Sequence, residues 1–468
     1  MHVSSLWGKY SEGSLGTPAH EWVDLLASAG FSVWQVLPFC LPDECNSPYK
    51  SFSAFSLNPN FIDLPTLCEK GLLTEAELAS AEQKTPYVCE FSRLSEERMA
   101  LLGKASARVI DRAPIDEFLK KRPQVANFCR FMAIKSANGG REWIEWSHET
   151  PDEEVQRVWE FTQYECYTQW LAVKAYANAR GVSVIGDIPI YVAYDSSDVW
   201  ANRELFQLDK DYRPEAVAGV PPDYFCEDGQ LWGNPLYDWK RMKKDGFSWW
   251  RERMAFMLEL FDGVRIDHFR GLESYFSIPS SEKTARNGVW KKGPGMALIR
   301  ALREVCGDKL IIAEDLGDIT PAVRKLVDDS GYPGMRVLQF AFLGDENSWH
   351  LPHNYENNSV AYTGTHDNNT LLGYVWEQDE GTRQRILQYC GFSGDWDRSY
   401  DAILRMMLAS SAGLVILPVQ DLLLYGSDTR LNTPGRSDGN WGYRLTREQI
   451  TGADLDKFRV WNRLYGRV

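Results

Sequence analysis

Apolar runs and amphipathic stretches alternate along this chain. Eight short apolar runs, each closing in polar or charged positions, recur at HVSSL (2–6), FSVWQVLPF (31–39), VSVIGDIPIYV (182–192), GVRIDHF (263–269), KLIIAEDLG (309–317), MRVLQFAFL (335–343), SVAYTGTHD (359–367) and GLVILPVQD (413–421). Each reads as a buried strand followed by a helical pattern. Phe247, Trp250, Met254, Met257 and Phe261 share one stripe, the apolar face of a helix packed on a core. Thr150-Pro151 and Thr320-Pro321 read as helix starts with proline at the first helical position, closed by Gly181 and Gly331. Strand alternating with helix predicts a parallel sheet, and eight such units predict an α/β protein built as a (β/α)8 TIM barrel.

Two connections are too long for simple loops. Between the second and third runs, TEAELASAEQ, SEERMALLGKASARVI and IDEFLKKRPQVANFCRFMAI read as amphipathic helices, with Thr74 and Glu77 forming a capping box. This predicts a barrel start over 1–61, a helical insertion subdomain over 62–150 after strand 2, and the rest of the barrel over 151–468. The second long connection, 193–245 after strand 3, contains AGVPPDYFCEDGQLWGNPLYDW (218–239). Rich in Pro, Gly and aromatic residues without a period, it reads as a long aromatic surface loop, lid-like in character.

A net charge of −14 over 468 residues argues against nucleic acid or an anionic membrane as partner, because either needs a basic face. A neutral ligand fits better. The 18 Trp, 21 Tyr and 21 Phe suit a protein that stacks rings on apolar faces, although core packing also uses them. Nine cysteines without a C-x-x-C pair read as reduced thiols. The start MHVSSLWGKY has no apolar signal core, and no apolar run reaches membrane-spanning length. The expectation is a soluble cytoplasmic protein.

In a barrel of this kind function collects at the C-terminal ends of the strands. Three predicted strands end there in acids: Asp267, Glu314 and Asp367. Converging carboxylates repel one another unless they do chemistry or bind a cation. Arg265 precedes Asp267 by two residues, so both side chains share a strand face, and a cation there favours the ionised carboxylate. His366 stands where its strand is ending and can turn towards a substrate. Each residue also has a plain reading: a structural ion pair for Arg265 and Asp267, a helix cap for Glu314-Asp315, a polar turn for THDNN. Two carboxyls of opposite protonation state suit glycosidic bond chemistry. A calcium site is the rival, but it would bring closely spaced Asp and Asn in one loop, and DDS or DNN alone is weak support. No metal and no cofactor are expected.

FDGVRIDHFRG (261–271), IIAEDLG (311–317) and YTGTHDNNT (362–370) resemble the motifs of the 4-α-glucanotransferases, the amylomaltases or disproportionating enzymes of glycoside hydrolase family 77 in the α-amylase superfamily. SPYKSFSAFSLNP, VIGDIPIYVAYDSSDVWAN, VPPDYFCEDGQLWGNPLYDW, NGVWKKGPG and GNWGYR are similar to further blocks of that family, in the same order. The resemblance implies transfer of α-1,4-glucan segments between maltooligosaccharides, or to glucose, through a covalent glucosyl-enzyme. It makes Asp267 the nucleophile, Glu314 the general acid and base, and Asp367 the carboxylate that steadies the transition state, with Arg265 and His366 beside them. Tyr49 would stack on the donor sugar, and Asp187 would join the substrate contacts. Asp223, Tyr224, Phe225 and Trp232 would cover the cleft on the acceptor side. Asn440, Trp441 and Arg444 are implied either as sugar contacts or as loop anchors. His268 would serve either the sugar or the neighbouring strand. A related α-glucan hydrolase is the alternative, and a non-catalytic glucan-binding protein a more distant one.

Overall fold

A computed structural model describes residues 1–222, 227–392, 396–436 and 438–468, without the side chains of 95–96 and 396–398. Its strands, in chain order, are β1 (Val33–Gln35), β2 (Ser183–Ile188), β3 (Ala216–Val220), β4 (Gln230–Pro235), β5 (Gly263–Ile266) and β6 (Ser274–Pro279). They continue with β7 (Val289–Lys292), β8 (Leu310–Ala313), β9 (Gly334–Val337), β10 (Ser359–Tyr362) and β11 (Leu414–Ile416). Seven of them form one parallel sheet in the order β1-β2-β5-β8-β9-β10-β11. These are the predicted runs two to eight, in sequence order, with helices between them.

Register decides which side chains point into the barrel. Asp187 lies opposite Arg265, and Arg265 opposite Ile312. Because alternate residues share a face, Ile185 and Asp187, Arg265 and Asp267, and Ile312 and Glu314 follow the same inward rows. Ile185, Ile312, Met335, Val337, Val360 and Tyr362 pack together as one buried cluster. The sequence thus fills the barrel with branched and aromatic side chains and switches to charge only at its upper rim.

The first predicted strand is absent. Val3–Ser5 forms a 3-10 turn closed by Ser5 N–H to the His2 carbonyl and Leu6 N–H to the Val3 carbonyl. Its other carbonyls are taken by loops, Ser4 by Gly13 and Ser5 by Leu445, so no ladder is available to it. Beside β1, the N-terminal residues and Tyr362 of β10 make hydrogen bonds in place of a strand ladder. Trp34 Nε1 donates to the Met1 carbonyl at 2.6 Å, Leu37 N–H donates to His2 Nδ1 at 3.2 Å, and the Tyr362 hydroxyl donates to Gln35 Oε1 at 3.0 Å.

Helix ends follow local chemistry. Pro321–Ser330 starts at Thr320, whose side chain accepts from Val323 N–H, and stops at the left-handed Gly331. The long helix Glu153–Asn178 is capped by Asp152, which accepts from Glu154 and Val155 N–H, rather than by Thr150. In the 62–150 region the Thr74–Glu77 capping box is present. The segment read as one helix from Ile115 is two, Ala113–Lys121 and Pro123–Ala137, because proline disfavours helical backbone in the residue before it and offers no N–H.

The region read as an aromatic loop contains strands. β3 and β4 join β6 and β7 in an antiparallel sheet of order β4-β3-β6-β7. Gly219 sits at its centre because a Cβ there would meet the Gln230 carbonyl at 2.2 Å. Among the described residues no helix is long and apolar enough to cross a membrane.

Candidate active site

At the upper rim the inward rows end in a charge cluster organised by Arg265. Its guanidinium donates to Asp187 Oδ2 at 2.5 Å and to Asp267 Oδ1 at 2.7 Å. The Tyr49 hydroxyl donates to the same Asp187 oxygen at 2.6 Å. Arg265 and Asp187 are buried, where a charge survives only when paired and hydrogen-bonded. Asp187 is thereby committed to Arg265 and Tyr49, although its Oδ1 has no partner. Tyr49 stacks on His366 with ring centroids 4.8 Å apart, and Trp441 lies 6.0 Å from Tyr49 and 5.8 Å from His366. Three loops, those carrying Tyr49, His366 and Trp441, therefore meet over the arginine.

Glu314, at the end of β8, is held by backbone. Its Oε2 accepts from His268 N–H at 2.7 Å and its Oε1 from Leu316 N–H at 3.0 Å. His268 reaches it because its φ of 52° is left-handed, which turns the chain immediately after Asp267. Burial raises the Asp267 carboxyl to about 6, and the pull of Arg265 in the other direction does not cancel it. Burial, then the negative charge of Asp267, push Glu314 up to about 8. Between those values one carboxyl is ionised while its neighbour keeps its proton. Arg265 favours the ionised form of Asp267, as its place two residues earlier predicts, but enclosure in the rim acts against it.

The third acid sits on a turn. Asp367 is half exposed, and its Oδ2 lies 3.4 Å from His366 Nε2. Its Oδ1 accepts from Asn432 Nδ2 at 2.6 Å, and its carbonyl accepts from Arg430 at 2.5 Å. Beneath the turn, buried Asp421 takes the Thr363 hydroxyl at 2.5 Å and Leu371 N–H at 2.7 Å. Arg430, Asn432 and Asp421 were not singled out in the sequence. The fragment RLNTPG that carries two of them follows the last strand, and that position was the available signal.

The structure also separates predicted contacts by what they touch. Asn440 spends its side chain inside its own loop, accepting from Thr433 N–H and donating to the Thr433 and Arg436 carbonyls. Trp441 is buried at a left-handed φ of 66°, its N–H donating to the Leu431 carbonyl. His268 turns its ring away from Arg265 towards β4, where Trp232 meets it edge to face at 4.8 Å. Burial and the charge of Arg270 lower His268 to about 3, so the ring is neutral. Asp223, Tyr224 and Phe225 lie outside the described residues.

A parallel α/β barrel whose rim sets an arginine-bridged pair of acids beside a third, buried acid defines an enzyme of the glycoside-processing barrel class. More narrowly, the chain belongs to the 4-alpha-glucanotransferase family, glycoside hydrolase family 77, whose family model matches residues 1–450. It is 41% identical to the 4-alpha-glucanotransferase of Synechocystis sp. over all of this chain and 97% of that protein. It is 40% identical to that of Aquifex aeolicus over all of this chain and 98% of that protein. Among solved structures, an amylomaltase from Streptococcus agalactiae in complex with acarbose matches with a TM-score of 0.95 at 36% identity, covering 100% of this chain and 98% of that one.

Proposed function

We propose that this protein is a 4-α-glucanotransferase that moves α-1,4-linked glucan segments from one maltooligosaccharide to another, or to glucose, with retention of configuration. The observation that carries the reading is the rim geometry: one arginine bridging Asp187 and Asp267, with the Glu314 carboxyl held beside them by the His268 and Leu316 N–H groups. An oxygen of Asp267 attacks the anomeric carbon and forms a glucosyl ester. Glu314 gives its proton to the departing glycosidic oxygen as that bond breaks. The hydroxyl of an incoming sugar then loses its proton to Glu314 and displaces Asp267, which restores both acids. Asp367 and His366 hold the sugar at the reacting carbon, Tyr49 and Trp441 wall the donor side, and Trp232 and His268 wall the acceptor side.

Names of relatives along the whole chain favour transfer over the hydrolase alternative. Asp223, Tyr224 and Phe225 belong to the proposed acceptor-side cover. Asp187 acts through Tyr49 and Arg265, and Asn440 shapes its loop. Residues 62–150 form a helical insertion between a barrel start over 1–61 and the remainder over 151–468. Eight free cysteines among the described residues support a reducing cytoplasmic setting.

Incubation with maltotriose tests the reaction. Oligomers longer than the substrate should accumulate together with glucose; glucose and maltose with nothing longer would establish hydrolysis instead. Asp267→Asn, nearly isosteric, should lower turnover by at least about 10³-fold with the fold intact, since the nucleophile is lost.

A further inference from the structure

Asp367 is held by the loop that follows the last strand. Its side chain is 49% exposed, so packing does not fix its rotamer. Its orientation rests on named hydrogen bonds. Asn432 Nδ2 donates to Oδ1 at 2.6 Å, and Arg430 donates to the Asp367 carbonyl at 2.5 Å. Arg430 also donates through Nε to the Asn432 carbonyl at 2.7 Å, so one guanidinium ties the two segments together. The loop is braced in turn. Trp441 N–H donates to the Leu431 carbonyl at 2.7 Å, and the Asn440 carboxamide bonds to both backbone groups of Thr433.

We infer that Asn432 and Arg430 are positioning residues for Asp367, setting one carboxylate oxygen so that the other faces the reacting sugar. The inference rests on the proposed role of Asp367 in glucosyl transfer. Asn432 is suited to this task because its amide can only donate at Nδ2, which keeps Oδ1 occupied and leaves Oδ2, on the His366 side, for substrate. Arg430 fixes the peptide of the same residue, which restricts where the carboxylate can swing. A carboxylate that strengthens its contacts as charge develops on the sugar has to be aimed in advance, and a small loss of aim is paid in turnover more than in binding.

The experiment compares Asn432→Ala, Asn432→Asp and Arg430→Met with wild type and with Asp367→Asn, by maltotriose disproportionation over pH 5 to 8, alongside thermal melts. Asn432→Asp keeps the shape but removes the donor and places a second carboxylate against Asp367. Its kcat should fall about 10–100-fold at pH 8 with KM changed less than about threefold. The deficit relative to wild type should shrink towards pH 5, where a shared proton lets the new acid donate to Asp367. A purely structural role would not give that pH-dependent recovery. Arg430→Met should lower kcat in the same direction. Wild-type kcat in the Asn432 and Arg430 variants, with Asp367→Asn inactive, would overturn the inference. So would a rise in KM at unchanged kcat, which would make them direct sugar contacts. An active Asp367→Asn would instead remove the reading of Asp367 on which the inference stands.

Discussion

The chemistry of this molecule turns on how few groups set the protonation of Asp267 and Glu314. Both folded-state values lie above the ordinary carboxylate range because burial penalises the charged form. The proposed mechanism requires Asp267 ionised and Glu314 protonated, so kcat/KM should rise through an apparent value near 6 and fall through one near 8. The two limbs belong to the interacting pair rather than to either residue. Replacing Glu314 by Gln should abolish the alkaline limb together with most activity. The same raised value has a stability consequence. The folded state holds a proton on Glu314 that the unfolded chain releases above its ordinary value, so this group's contribution becomes steadily less favourable as pH climbs to about 8. Melting curves of Glu314→Gln should therefore exceed those of wild type at pH 9 and approach them at pH 5; the opposite trend would mean that the carboxyl is ionised without cost.

At the scale of elements, the strands deliver the acids and their backs must fit the helices. Gly186 precedes Asp187 and faces outward, where a Cβ would meet the Phe261 ring at 2.3 Å. Phe261 is itself wedged among Phe39 and Trp170 and has no room to withdraw. Gly186→Ala should cost about 1–3 kcal/mol by urea unfolding, as overpacked core positions do. It should also reduce kcat by shifting the partner of Arg265; an unchanged unfolding midpoint would refute this packing account. Much of this level was legible in the sequence. The seven parallel strands, the Thr320 and Gly331 helix ends and the Thr74–Glu77 box all follow from period and local hydrogen bonding. β3, β4, β6 and β7 were not, because their pairing is antiparallel and partly solvent-facing, and β3 and β4 flank a sequence segment rich in Pro and acidic residues that hides alternation. Val3–Ser5 misled in the other direction: its apolar ends suit a strand, but loops from elsewhere in the chain claim its carbonyls.

Across the whole molecule, the rim position of Asp267, Glu314 and Asp367 was legible because each acid closes an apolar strand pattern. Arg430 and Asn432 were not, because their meaning lies in a contact spanning more than sixty positions of chain. The molecule also ties its N-terminal residues to the end of β1 through His2. His2→Ala should leave Leu37 N–H without its acceptor and lower stability by about 1–3 kcal/mol, read as a lower melting temperature; no change would mean that the tie is carried by its other contacts. A second long-range tie has a wider effect. Glu314 N–H bonds the Ile266 carbonyl, Phe269 N–H bonds the Glu314 carbonyl, and His268 N–H bonds the Glu314 carboxylate. Asp267 and Glu314 are thus gauged against each other by the main chain of β5 and β8, as points are by the two arms of a caliper. Changes in the outer helices and insertions that leave these two strands alone should leave that spacing unchanged.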